Sequence, residues 1–173
     1  MVRVGKFEKV SFEQFAMDYI DCFGETDNEV IKKIYDDIKL PKRATKGSAG
    51  YDIYSPFDFT LGPQEQIKFP TGIRVKMDED WVFCIFPRSS WGFKFRLQMN
   101  NTVGIIDSDY YYSDNEGHIF HRLTNDSKDG KVFKIEKGIA VTQGIFMPYG
   151  ITEDDDVQEI RNGGLGSTTR NKG

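Results

Sequence analysis

With 173 residues, 38% hydrophobic and 29% charged, the chain is long enough to bury its own core and reads as one globular domain over 1–173. Its formal net charge of −4 leaves no basic excess to neutralise a run of phosphates. That argues against a general nucleic-acid surface, though not against a local cationic pocket for one polyphosphate.

Cys22 and Cys84 have no CxxC spacing and read as reduced, buried thiols of a cytoplasmic protein. His118 and His121 are too few for a histidine-rich zinc site. The opening MVRVGKFEKV has no apolar run of the kind a signal peptide or membrane span requires.

From the N-terminus, residues 2–10 alternate imperfectly and suggest a short strand. Ser11 and Gln14 form a capping box, and Phe12, Phe15, Ala16, Tyr19, Ile20 and Phe23 follow on one helical face up to Gly24. Thr26 and Glu29 repeat the box. Val30, Ile31, Ile34, Tyr35 and Ile38 make the stripe of a second helix, so 1–40 reads as a strand plus a helical hairpin. Most of those aromatics should pack on the main body, with an interaction surface or a subunit contact as the sharper reading.

After Pro41 the pattern becomes short apolar runs broken by Gly, Pro, Asp and Asn. Strands are expected at 51–54, 66–69, 73–75, 81–86, 102–106, 119–123, 132–135 and 139–146. This spacing predicts an all-β sandwich or barrel over 41–150. Residues 113–117 and 125–130 read as exposed turns, the second as a hairpin end. The acidic stretch 152–156 reads as a solvated linker. The glycine-rich remainder to Gly173 cannot bury enough apolar surface to order itself, and reads as a mobile arm.

Four polar clusters could carry chemistry. Gly47-Ser48-Ala49-Gly50-Tyr51-Asp52 is a small-residue turn with an acid entering a strand. Pro87-Arg88-Ser89-Ser90 follows an apolar strand, and its guanidinium, hydroxyls and N–H groups suit phosphate oxygens. It reads equally as a helix start capped by Ser89 or Ser90. Asn101-Thr102-Val103-Gly104-Ile105-Ile106-Asp107-Ser108-Asp109-Tyr110 would present an acid and a ring from a hairpin, with Gly104 allowing a close approach. Arg161-Asn162-Gly163-Gly164-Leu165-Gly166-Ser167-Thr168 offers donors and flexible backbone, without P-loop spacing.

Together, and in order, these clusters resemble the signature motifs of the trimeric dUTPase family. Ala49-Gly50-Tyr51-Asp52 is similar to the first, Pro87-Arg88-Ser89-Ser90 to the second and 101–110 to the third. The run Gly138-Ile139-Ala140-Val141-Thr142-Gln143-Gly144-Ile145-Phe146 resembles the fourth, and 161–168 the fifth. The resemblance covers about residue 40 to the C-terminus. It implies a jelly-roll-like β fold, a homotrimer with shared active sites, and Mg²⁺-assisted hydrolysis of dUTP to dUMP and pyrophosphate.

Carried over position by position, it implies that Asp107 orients and deprotonates the attacking water, and that Tyr110 lies against the deoxyribose. Asn101 and the hairpin around Gly104 and Ile106 read the uracil. Arg88, Ser89, Ser90 and Gln143 hold the phosphates, and Asp52 supports the site through an arginine or a metal-bound water. Arg161, Leu165, Gly166, Ser167 and Thr168 close over the nucleotide from a neighbouring chain. Asp109 receives no role beyond a structural one.

There are departures from the family pattern. Leu165 stands where a phenylalanine is usual, Ser90 where glycine is commoner, and Ala140 where an arginine is common. Tyr111 and Tyr112 replace an arginine and a glycine, and 126–131 reads as an inserted hairpin tip. This variation is similar to the phage and Gram-positive branches.

A dCTP deaminase of the same fold is the nearest rival, but the strand at 118–124 has no carboxylate to shuttle protons beside a base. The rival from another class is a binding module, in which the N-terminal helices or the 126–131 loop dock a regulatory protein. The two roles are compatible.

Overall fold

The computed structural model describes residues 1–161. Twelve strands and three helices occur in the order β1 (Gly5–Lys9), α1 (Phe12–Phe23), α2 (Asn28–Asp36), β2 (Lys42–Arg43), β3 (Tyr51–Tyr54), β4 (Phe59–Leu61), β5 (Gln66–Pro70), β6 (Ile73–Met77), β7 (Trp81–Pro87), α3 (Ser89–Phe95), β8 (Leu97–Met99), β9 (Gly104–Ile106), a 3-10 turn (Ser108–Tyr112), β10 (Phe120–Asn125), β11 (Phe133–Ile135) and β12 (Ala140–Pro148). None of these helices is long and apolar enough to cross a membrane.

The strands pair antiparallel throughout. They form a five-stranded sheet β2-β3-β12-β7-β9, a three-stranded sheet β5-β10-β8, and the pairs β1-β6 and β4-β11. The mainly β, jelly-roll-like sandwich is therefore present. A closed barrel is not, because among the described residues the sheets remain separate.

β7 explains its own apolar run. It lies between β12 and β9, and Phe83, Cys84 and Ile85 are all buried in succession. Burial also pushes the Cys84 thiol above its ordinary range. Cys22 is only partly buried, which corrects the reading of two buried thiols.

Side chains of both sheets, including Ile53, Phe69, Phe83, Ile85, Leu123 and Phe133, meet in one core. A chain of ring contacts crosses it. Phe23 meets Phe57, Phe57 meets Phe59 and Phe69, Phe59 meets Phe133, and Phe133 meets Trp91 and Phe95 of α3. His121 is wholly buried beside Phe69, and burial pushes it down to about 4, so it is neutral near pH 7.

α1 forms as its sequence requires. The Ser11 hydroxyl accepts from the Gln14 N–H, and Gly24 closes the helix in the left-handed conformation at φ 69°. For α2 the cap is Asp27 rather than Thr26, because the Asp27 carboxylate accepts from both the Glu29 and Val30 N–H groups. Phe15 and Ile31 are fully buried, so the two helices pack on the body, each such side chain contributing about 1.5–3 kcal/mol.

Three local expectations are corrected. β8 and β9 do not form a hairpin: β8 pairs with β10 and β9 with β7, so 100–103 crosses between sheets. Thr102, at φ 67°, and its N–H bond to the Met99 carbonyl make that sharp turn. Nor does 126–131 cap a hairpin, since β11 pairs with β4 while β10 pairs with β5 and β8. The buried Asn125 side chain donates to the Leu61 and Lys131 carbonyls and tethers that crossing. Finally, 113–117 is a turn as expected, but within it only Asp114 is exposed. Ser113 and Gly117 are buried, and a Cβ on Gly117 would lie 2.7 Å from the Tyr110 carbonyl oxygen.

Candidate active site

Gly104 packs so closely on β7 that a Cβ there would lie 3.2 Å from Ile85 Cβ. Beside it lies a cavity of about 100 Å³. Asn101, Gly104, Ile106, Asp107 and Tyr110 line it together with Ile119 and Phe120. The wall is therefore mostly apolar, with the Asn101 amide, the Asp107 carboxylate and the Arg161 guanidinium as its charged and amide groups, which suits a flat, partly polar ring.

Asp107 sits at the N-cap of the 3-10 turn, yet its side chain makes no capping bond. The carboxylate points outward, about half exposed, and meets the Arg161 guanidinium. Arg161 Nε also donates to Asp109 at 2.9 Å. Asp109 thus has a partner that the sequence did not suggest. Tyr110 is held from behind: its hydroxyl donates to the His118 carbonyl at 2.7 Å and accepts from the Asn115 amide at 2.8 Å. Burial holds this phenol above its ordinary range.

A second polar group forms where three strands of the large sheet lie side by side. Gln143 of β12 is opposite Asp52 of β3 and Phe86 of β7, two residues before Arg88. Arg88 Nε reaches Asp52 Oδ1 at 3.2 Å. Gly50 leaves room for Gln143, whose Oε1 would lie 2.8 Å from a Cβ at that position.

Ser89 and Ser90 are exposed in the first turn of α3. The N-cap is Arg88, with no side-chain capping bond, which corrects the reading of a serine cap. Their hydroxyls and N–H groups are consequently not used up by a cap. α3 itself is anchored by Trp91, whose ring N–H donates to the Ala140 carbonyl at 2.8 Å.

Within one chain the two groups do not meet. Ile106 pairs with Phe83 and Gly104 with Ile85, so Asp107 lies beyond one end of the β7–β9 ladder and Arg88 beyond the other. Val82, beside Asp107, and Arg88 are six positions apart along β7 and its end, roughly 20 Å of extended chain.

Known proteins resemble this chain in sequence and fold. The family model for dUTPase matches residues 36–169. The chain belongs to the dUTPase family. The deoxyuridine 5'-triphosphate nucleotidohydrolase of Lactococcus lactis is 43% identical over 134 residues, 76% of this chain and 88% of that protein. The crystal structure of dUTPase from Streptococcus mutans superposes with a TM-score of 0.61 at 32% identity, covering 85% of this chain and 98% of that one. A mutant dUTPase of Staphylococcus aureus phage phi11, at 23% identity and a TM-score of 0.57 over 72% of this chain and 92% of that one, shares the fold. That mutant's structure reveals the coordination of a structural Mg(II) ion in the phage protein.

The family match begins at residue 36, so β1, α1 and nearly all of α2 precede it. Asn101, Gly104, Ile106, Asp107 and Tyr110 gather at the cavity with Arg161, while Asp52, Arg88, Ser89, Ser90 and Gln143 lie around the second group. Leu165, Gly166, Ser167 and Thr168 lie outside the described residues. Sequence reasoning missed Asp18 and His118, which touch each other behind Tyr110. No spacing rule links a helical aspartate to a histidine 100 positions later.

Proposed function

We infer that the chain hydrolyses dUTP to dUMP and pyrophosphate. The observation that carries this reading is the cavity walled by Tyr110 with the uncapped Asp107 carboxylate at its mouth, in a chain of the dUTPase family. Asn101 and the backbone near Gly104 and Ile106 accept the uracil. Tyr110 stands against the sugar and leaves no room for a 2′-hydroxyl. Asp107 orients a water and takes its proton as the water attacks the α-phosphate. Arg88, Ser89, Ser90 and Gln143 bind the phosphate oxygens, with Arg88 steadied by Asp52. Arg161 and the residues beyond it, Leu165 to Thr168, cover the bound nucleotide.

Among the described residues no three His, Cys, Asp or Glu side chains gather into a metal-binding cluster. This donor set fits Mg²⁺ carried by the triphosphate, because that ion keeps several waters and takes phosphate oxygens as ligands. Bound in this way it supplies charge neutralisation at the phosphates. Asp52, already engaged with Arg88, would help hold such an ion through a bound water.

A homotrimer with shared sites has its support in the separation of the two groups. Roughly 20 Å of strand lies between Asp107 and Arg88, too far for both to act on one α-phosphate within a chain. A regulatory protein partner has its support in the exposed apolar side chains Met17, Ile20, Phe23 and Val30 of the N-terminal helices. The 126–131 loop supports it less, because Asp126 pairs with Arg96 and Lys128, and Asp129 with Lys131. The deaminase reading finds no second acid, since Asp107 is the one carboxylate lining the cavity among the described residues.

The test is pyrophosphate release with Mg²⁺ from dUTP, dCTP, dTTP and UTP. Turnover of dUTP alone is expected, and its loss in Asp107→Asn with a non-hydrolysed dUTP analogue still bound. Deamination of dCTP with dUTP left intact would overturn the reading.

A further inference from the structure

Helix α1 lies outside the matched family region, yet it reaches the candidate site through partly buried polar contacts. His118 is fully buried, and its two ring nitrogens have different partners. Nε2 accepts from the Gly72 N–H at 2.8 Å. That fixes the proton of the neutral ring on Nδ1, which donates to Asp18 Oδ2 at 2.5 Å. The Gln14 amide, one turn earlier on α1, donates to the same oxygen at 2.9 Å. Phe15 of α1 packs against the His118 ring, with centroids 6.1 Å apart.

The backbone of His118 serves the cavity directly. Its carbonyl accepts the Tyr110 hydroxyl, and the next two residues, Ile119 and Phe120, line the cavity. The N-terminal segment grips the same loop at two more points. Ser11 donates through N–H and hydroxyl to both oxygens of Glu116, at 2.7 and 2.6 Å. Tyr111 donates to Glu8.

We propose that Asp18 is a positioning residue for the dUTPase reaction: through His118 it fixes Tyr110 and the 118–120 wall, and so sets discrimination between deoxyribose and ribose. Asp18 touches neither the cavity nor any group that would touch substrate. It acts by locking one tautomer and one ring orientation of His118. A hydrogen bond from the buried His118 ring to a carboxylate is strong enough for this, because its loss leaves a desolvated N–H without a partner. The inference rests on the dUTP reading and deepens it.

The experiment compares wild type, Asp18→Ala, Asp18→Asn, Gln14→Ala and Phe23→Ala, each assayed with dUTP and UTP at a temperature where it is folded. Asp18→Ala is expected to lower the ratio of kcat/KM for dUTP over UTP about tenfold, mainly through KM for dUTP. It should also remove the exchange-protected His118 Nδ1–H signal from the NMR spectrum. Asp18→Asn keeps an acceptor oxygen and should recover most of the ratio. Phe23→Ala loses packing at the far end of the same helix and should lower the melting temperature with the ratio unchanged.

If Asp18→Ala does not fold, Gln14→Ala decides. It leaves the carboxylate but frees its orientation, and should shift the ratio a few-fold in the same direction. An unchanged ratio in the folded Asp18 or Gln14 variant would overturn the positioning role while wild-type dUTP turnover stands. A wild type inert on dUTP would overturn the functional reading and this proposal together.

Discussion

At the scale of single residues, the site depends on what each side chain is not doing. Asp107 occupies an N-cap position, where aspartate ordinarily accepts backbone N–H bonds, and makes none. Its lone pairs therefore remain for another donor, here Arg161. Gly50 contributes by lacking a Cβ. With alanine there, Gln143 Oε1 has to move, because 2.8 Å is too short for that contact. The obstructing atom ends a flexible side chain, so Gly50→Ala should change stability by no more than about 0.5 kcal/mol. Displacing one neutral phosphate donor should raise KM for dUTP roughly three- to tenfold. Steady-state kinetics beside a thermal melt checks both, and an unaltered KM would remove Gln143 from the phosphate group.

At the scale of elements, the strands set distances and the N-terminal segment sets the loop. Most strands announce themselves by composition, and β3 has the predicted limits. β4 and β8 carry no such signal. Each has three residues, too short for alternation to stand out, and each is held by its partners, β11 and β10. α1 is legible from its capping box and apolar stripe, but the second use of Ser11 is not. Its hydroxyl accepts from Gln14 and donates to Glu116, a residue 105 positions away. Ser11→Ala removes a cap and a bond to a carboxylate at once. It should cost about 1–3 kcal/mol, read as a lower urea midpoint with an unchanged slope. An unshifted midpoint would count against this joint between α1 and the loop.

At the scale of the whole molecule, the two polar groups lie at opposite ends of the β7–β9 ladder. A site built from both needs chains to come together. Asp107→Asn and Arg88→Ala should each be inactive alone. Unfolded together and refolded, they should regain part of the wild-type turnover, because some mixed assemblies then combine an intact Asp107 with an intact Arg88. No recovery, with co-assembly shown by mass in solution, would place each complete site within one chain.

The sequence by itself determined the mainly β class and most strand positions. These follow from local matters: side-chain type, backbone preference, and spacing along a short stretch. Only the tertiary structure decided that 100–103 crosses between sheets instead of closing a hairpin, that Asp109 meets Arg161, and that Asp18 holds His118 behind Tyr110. Those contacts join residues far apart in the chain, or depend on which neighbour a strand chooses. Burial and hydrogen-bond satisfaction across the assembled core make that choice, and no local pattern records it.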